Sequence, residues 1–299
     1  MGKNIYNSTE RNTNMKTLPS WFKKKVPSNA RYEKVVNLLN DLELTTVCKE
    51  AKCPNVGECY SRGTATFMIL GDVCTRNCRF CAITLGKPRK VDSDEPRRLR
   101  QAIQHLELDH VVITMVTRDD LKDGGSGHFV NVIREVKEHT NVTIEVLTSD
   151  FRGRRESVEE VVCAGPDVFN HNMETTESLH KKVRPMMAYD RSLDVLEHAK
   201  KVRPEIILKS GFMLGLGEEK EEIERLLKDL RKVGCEFVTI GQYLRPPGST
   251  LKVENFVSPQ EFKEWGTYAK ELGFRLVESS PLVRSSYKAD QAMLHMSMS

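Results

Sequence analysis

Six of the eight cysteines in this 299-residue chain crowd between positions 48 and 81, in two groups of three. The later group, Cys74-Thr-Arg-Asn-Cys78-Arg-Phe-Cys81, is a CxxxCxxC run. Three thiolates on one short loop can bind three irons of a cubane 4Fe-4S cluster, and with no fourth cysteine in the loop one iron stays open to another ligand. The earlier group, Cys48-Lys-Glu-Ala-Lys-Cys53-Pro-Asn-Val-Gly-Glu-Cys59, is a Cx4Cx5C run, again one thiolate short. Zinc is the alternative for either group, because short cysteine spacings also serve zinc; a structural zinc site asks for a fourth ligand nearby, as a bare electron-transfer cluster asks for a fourth cysteine. Cys163 and Cys235 stand apart, in apolar or helical contexts, and read as buried, inert thiols.

The CxxxCxxC run, with Phe80 before its last cysteine, resembles the signature of the radical S-adenosylmethionine enzymes. In such enzymes the open iron chelates the amino and carboxylate groups of S-adenosylmethionine, and an electron from the reduced cluster cleaves the sulfonium. Together with the Cx4Cx5C run ahead of it and VRSSY at 283–287, it makes the chain resemble the lipoyl synthase family over nearly its whole length. The resemblance implies two 4Fe-4S clusters and S-adenosyl-L-methionine. One cluster falls to Cys74, Cys78 and Cys81; an auxiliary one falls to Cys48, Cys53, Cys59 and a serine of the RSSY motif, expected at Ser286 with Ser285 as the alternative. Lys288 departs from the histidine that members commonly carry, outside the ligand set.

What the resemblance implies for chemistry is sulfur insertion at C6 and C8 of an octanoyl chain, amide-linked to a lysine of a lipoyl carrier domain (the glycine cleavage H protein or a 2-oxoacid dehydrogenase E2). An alkyl C–H has no useful acidity, so a radical must abstract the hydrogen, and the auxiliary cluster is consumed as sulfur donor. Serine oxygen matches iron less well than thiolate, which suits a cluster that must come apart. The other implied partners are a low-potential electron donor (ferredoxin or flavodoxin) and an iron-sulfur carrier that rebuilds the spent cluster. Competing readings are a biotin-synthase-like or RNA-modifying sulfur inserter and a non-catalytic iron-sulfur carrier.

Candidates for cofactor contacts are Phe80, Asp119, Glu145 and Asn172. Asp119, in Thr117-Arg-Asp-Asp120, falls where the family makes its methionyl contact, or else caps a helix. Glu145 and Asn172 are polar residues on strands, able to meet ribose or the methionyl carboxylate or to satisfy a structural hydrogen bond. Gly211 to Glu218 resembles a GxIxGxxE strand, with Met213 replacing Ile, that packs against adenine; strand-to-helix punctuation is the equal alternative. His171 reads as a hydrogen-bonded barrel histidine, and the basic runs Lys23-Lys24-Lys25 and Arg97-Arg98-Leu99-Arg100 as solvated faces.

Elements must hold these groups. From residue 66, apolar runs rich in Val and Ile (66–70, 110–116, 143–147, 167–172, 205–214 and 236–241) alternate with amphipathic stretches, a pattern of βαβ units with a parallel sheet covered on both faces. The segment is too short for a full eight-unit barrel, so the predicted fold is α/β, a partial (β/α)6 TIM-like barrel, with a doubly wound sheet as runner-up. Residues 1–62 form an N-terminal extension with the auxiliary cysteines, 63–241 the barrel, and 242–299 a C-terminal extension with RSSY. The two extensions should meet over the active face, with both clusters on one cavity.

Composition agrees with a folded, water-soluble chain: 39% apolar, 29% charged and a net charge of +4, too small to require nucleic acid. The start is polar, with no signal-peptide core, and no stretch approaches the roughly 20 apolar residues of a membrane span. A cytoplasmic protein with no membrane and no nucleic-acid partner is the expectation, and in a reducing compartment its cysteines serve metal or redox chemistry rather than disulfides.

Overall fold

The computed structural model describes residues 18–23 and 29–291. Lys24 and Lys25 of the first basic run lie outside the described residues. Three helices, α1 (Ala30–Asp41), α2 (Val47–Glu50) and α3 (Val56–Ser61), precede the strand β1 (Thr66–Ile69). A two-stranded ribbon, β2 (Val73–Cys74) with β3 (Thr84–Leu85), follows. Then strands and helices alternate: α4 (Glu95–His105), β4 (His110–Met115), α5 (Ser126–His139), β5 (Thr143–Leu147), α6 (Arg155–Cys163) and β6 (Val168–Asn170). The chain continues through α7 (Glu177–Val183), α8 (Tyr189–Val202), β7 (Ile207–Leu214), α9 (Lys220–Lys232), β8 (Phe237–Gln242), α10 (Pro259–Glu271) and β9 (Leu276–Ser279).

Every pairing in the main sheet is parallel, and its order is β1-β4-β5-β6-β7-β8-β9, without a reversal. Right-handed crossovers in a sheet that never reverses put all helices on one face, which is the winding of a barrel; a doubly wound sheet would change direction. All six expected strands are present. A seventh, β9, comes from within the C-terminal extension and lengthens the sheet at the β8 edge. Its apolar signal is short and only half-buried, which is why composition alone did not separate it from a loop.

Strands β4 and β8 are buried along their whole length, as strands covered on both sides must be. The helix α9 starts with a capping box, in which Glu219 and Glu222 each bind the other's backbone N–H, and it buries Ile223, Leu226, Leu227 and Leu230 on one stripe. Cys235 is buried as expected, but Cys163 is exposed. The sheet-facing stripe of α6 is Val158, Val161 and Val162, and the next position in the helix turns outward.

The extensions behave differently from one another. The N-terminal segment lies along the free edge of β1, not over the strand ends: Thr46 bridges Phe67 in antiparallel sense, and the N–H of Met68 donates to the Thr45 carbonyl at 2.9 Å. An unpaired edge strand needs such cover. The C-terminal segment does cross the ends of the strands. The Gln242 N–H donates to Pro281 O at 3.2 Å, and the Val283 carbonyl sits so close to Gly241 that no side chain would fit there.

Candidate active site

The CxxxCxxC loop leaves the C-terminal end of β1. Its first cysteine is in β2, in register with Leu85 of β3, and the Gly86 N–H closes the loop on the Cys74 carbonyl at 3.1 Å. Arg76, between the cysteines, is the loop's anchor. Its guanidinium forks onto both oxygens of Asp119 (2.6 and 2.8 Å) and reaches Asp150 at 2.6 Å, with 1% of its side chain exposed. Asp119 follows β4 and Asp150 follows β5, so one arginine ties the cysteine loop to two neighbouring loops. Thr75 adds bonds from its N–H and hydroxyl to Thr117 O at 3.1 and 3.0 Å.

Burial pushes the Cys81 thiol up to about 12, against the help of the Ile83 N–H, and raises Cys78 although Arg184 stands near it. Glu174, half-buried and raised for the same reason, faces Cys78 and Cys81. Phe80 and Met213 are both partly buried against one small apolar cluster of Val183, Leu216, Tyr243 and Leu251.

The other triplet is set by short helices. Cys48 lies in α2, capped by Thr46, which also bonds the Tyr60 hydroxyl at 2.7 Å; Cys59 lies in α3; the Cys53 N–H donates to Cys48 O at 3.0 Å. Burial first, then mutual repulsion, pushes Cys48 up to about 11 and Cys59 to about 12. The C-terminal segment comes to meet them. Asn55 donates to Leu282 O at 2.7 Å, Tyr287 to Glu58 at 2.8 Å, Arg62 pairs with Asp290 at 2.6 Å, and Thr66 donates to Ser286 Oγ at 2.7 Å. One cavity is lined by Cys48, Cys53, Cys59, Thr66, His110 and Ser286, among others.

Cys74, Cys78 and Cys81 do not line this cavity. Thr66 and His110 are the first residues of their strands, whereas the other triplet follows the last residue of β1; the two groups stand at opposite ends of that strand. Polar side chains occupy the ground between. Arg284 lines the cavity and its charge reaches Glu174 on the far side. Ser285 accepts from Asn170 at 2.8 Å and donates to Asn172 at 3.1 Å, and Asn172 donates to Glu174 at 3.0 Å.

Two of the four candidate cofactor contacts, Asp119 and Glu145, have charged partners within the barrel. Asp119 spends both oxygens on Arg76. Glu145 is fully buried: desolvation works to raise its pKa, but Lys209 at 2.8 Å from both oxygens, with His110 beside it, holds it down at about 2. In the GxIxGxxE stretch, Glu218 accepts the N–H groups of Gly215 and Leu216 at 3.0 and 3.1 Å, which is turn punctuation. His171 Nδ1 donates to the Thr148 carbonyl at 3.0 Å, and burial lowers its pKa to about 4. Arg97, Arg98 and Arg100 pair with Asp94, Asp92 and Glu135 along the surface of α4.

Sequence reasoning missed Arg76, Asp150, Thr66, Asn55 and Glu174. Arg76 passed as a spacer inside a motif; Asp150 and Glu174 each stand just after a barrel strand, the position from which barrel loops serve a site, and that signal was available.

The donor sets suit iron-sulfur clusters. Three partly or wholly buried thiols that would repel one another as thiolates need a cationic partner, and the Ser286 oxygen already accepts a hydrogen bond from Thr66, an arrangement that favours its deprotonated form.

The profile of the Radical SAM superfamily matches residues 68–230, and that of the N-terminal domain of lipoyl synthase of the Radical SAM family matches residues 3–53. The chain is 51% identical over 274 residues to the lipoyl synthase of Caldicellulosiruptor saccharolyticus, covering 91% of this chain and 96% of that one. It is 50% identical over 279 residues to the lipoyl synthase of Thermus thermophilus, covering 92% and 86%. Among solved structures, Streptococcus suis SuiB bound to S-adenosylmethionine superposes with a TM-score of 0.54 at 15% identity, covering 73% of this chain and 50% of that one. HydG, a maturase of the FeFe-hydrogenase, gives 0.54 at 13% identity, covering 89% and 75%. These two likenesses are of fold.

Proposed function

The chain belongs to the lipoyl synthase family of radical S-adenosylmethionine enzymes, and we propose that Cys74, Cys78 and Cys81 hold its S-adenosylmethionine-binding 4Fe-4S cluster while Cys48, Cys53, Cys59 and Ser286 hold an auxiliary one. The activity is insertion of two sulfur atoms, at C6 and C8, into an octanoyl-lysine carried by a lipoyl carrier protein. When bound, the clusters and S-adenosylmethionine supply a radical that takes hydrogen from an unactivated carbon, and the sulfur that replaces it.

The chain's own residues then have distinct tasks. Arg76, fixed by Asp119 and Asp150, keeps the CxxxCxxC loop in one shape. Phe80 and Met213 offer an apolar wall for adenine, and Asn172 with Glu174 offers polar atoms on the side of Cys78 and Cys81. Thr66 steadies the Ser286 oxygen. Glu145 with Lys209 forms a rigid floor inside the barrel rather than a ligand contact. The observation that carries the reading is that Ser286 lines the cavity of the Cys48 triplet, whereas the Ser285 hydroxyl is engaged with Asn170 and Asn172.

Residues 1–62, 63–241 and 242–299 serve as auxiliary-cluster extension, barrel and capping extension. The carriers are the glycine cleavage H protein and 2-oxoacid dehydrogenase E2 domains; a ferredoxin or flavodoxin gives the electrons, and an iron-sulfur carrier restores the spent cluster. Eight free cysteines suit the reducing cytoplasm, and no described helix is long and apolar enough to cross a membrane. The test is anaerobic reconstitution followed by mass spectrometry of an octanoylated carrier peptide. About eight irons per chain, as two cubanes require, and a gain of two sulfurs are expected; about four irons, or a product without sulfur, contradicts the assignment.

A further inference from the structure

Ser285 and Ser286 are consecutive and face different ways. Ser286 turns to Thr66 and the cavity of the Cys48 triplet. The Ser285 hydroxyl is engaged elsewhere: one lone pair accepts from Asn170, and its proton goes to the Asn172 oxygen. We propose that Ser285 is a positioning residue, the anchor that keeps the 284–287 turn seated on β6 while Ser286 binds the auxiliary iron and later releases it. This rests on the reading of Ser286 as an iron ligand.

Three other side-chain ties of the segment, beside the Arg284 charge that reaches Glu174, show what the anchor adds. Asn55 to Leu282, Glu58 to Tyr287 and Arg62 to Asp290 all run to the segment that carries the auxiliary cysteines, so they follow that segment if it shifts when its cluster is dismantled. The bond from Thr66 involves the ligand oxygen itself. Ser285 is tied to the opposite wall of the barrel, through atoms that never touch iron. Its seat is stiff. Asn170 is wholly buried and spends its other N–H on Glu145 at 3.0 Å, and Glu145 is locked to Lys209. Asn172 spends its N–H on Glu174. A methyl group in place of the hydroxyl would leave an N–H of the buried Asn170 and the oxygen of the half-buried Asn172 each one partner short, a costly state where water reaches only in part.

The experiment uses full-length, anaerobically reconstituted protein and its Ser285→Ala, Ser285→Thr and Asn172→Ala variants. Hydrogen exchange is read across 284–291, and the loss of auxiliary iron to a chelator is timed. Ser285→Ala should exchange faster across that segment and lose the auxiliary iron about tenfold faster, the scale of one unmade buried hydrogen bond. Asn172→Ala should do the same from the other partner, and Ser285→Thr, which keeps the hydroxyl, should restore both rates. Wild-type exchange and iron loss in Ser285→Ala overturns the anchor. Failure of the underlying reading has a separate signature: Ser286→Ala would retain the auxiliary cluster and Ser285→Ala would never assemble it.

Discussion

Thr66, the first residue of β1, donates a 2.7 Å hydrogen bond to Ser286, 220 positions later in the chain. The bond joins the barrel to the C-terminal segment at the cavity of Cys48, Cys53 and Cys59, and it leaves the serine's own proton free to depart to solvent when the oxygen binds a metal.

Ser286 is therefore the position where ligand chemistry can be changed without moving the fold. Ser286→Cys should keep the auxiliary cluster and slow its breakdown, because thiolate holds iron more firmly than alkoxide. The expected result is a full complement of iron with lipoyl product reduced at least about tenfold, a barrier increase of roughly 1.4 kcal/mol. Wild-type product yield from this variant counts against a labile serine.

The two triplets stand at opposite ends of β1, so their loss should be separable. Cys78→Ala is expected to abolish release of 5'-deoxyadenosine. Cys53→Ala should retain that release and stop sulfur insertion. Chromatography of the nucleoside and mass spectrometry of the carrier peptide read the two reactions independently, and equal loss of both in Cys53→Ala would contradict the division.

Arg76 bridges two aspartates while almost wholly buried, and removing it leaves Asp150, with 0% of its side chain exposed, short of a partner. Breaking a buried ion pair from one side costs about 3–5 kcal/mol. Arg76→Ala should lower the denaturant midpoint accordingly and impair iron uptake by the first triplet. Arg76→Lys, lacking the fork, should recover stability only in part. An unchanged midpoint together with full iron loading would remove the clamp from the account.

Glu145 gives a pH signature. Burial opposes its charge, yet Lys209 and His110 lower its folded pKa from 4.5 to about 2. A depressed carboxyl contributes stability that is fully present above its unfolded pKa and is lost as pH falls from about 4.5 towards about 2. Wild-type unfolding free energy should fall across that window. Glu145→Gln should be less stable at neutral pH by about 3–5 kcal/mol, because Lys209 stays buried without its counter-charge, and its pH slope in the window should be smaller. Denaturant titrations at several pH values measure both.

The cysteine spacings announced cluster chemistry from the chain alone, since thiols have few other uses in such arrangements, whereas RSSY drew its role only from resemblance to the family. The six barrel strands were legible for a similar reason: parallel strands buried on both faces are continuous in apolar residues, a local property. The strand β9 was not, because it is short, half-buried and defined by pairing with β8.

Roles that depend on partners stayed out of reach. Asp119 and Glu145 look alike as polar residues near strands, but their tasks follow from Arg76 and Lys209, which stand 43 and 64 positions away. Ser285 and Ser286 are the same residue type in one motif, and no property of the chain distinguishes them. The fold does so, by turning one hydroxyl to two asparagines of the barrel wall and the other to Thr66 and three thiols. Sequence determined the inventory of ligands and the parallel barrel, because composition and periodicity are local. Tertiary structure alone decided which end of β1 each triplet occupies and which serine lines the cavity of the Cys48 triplet, because direction and proximity between distant residues exist only once the chain has folded.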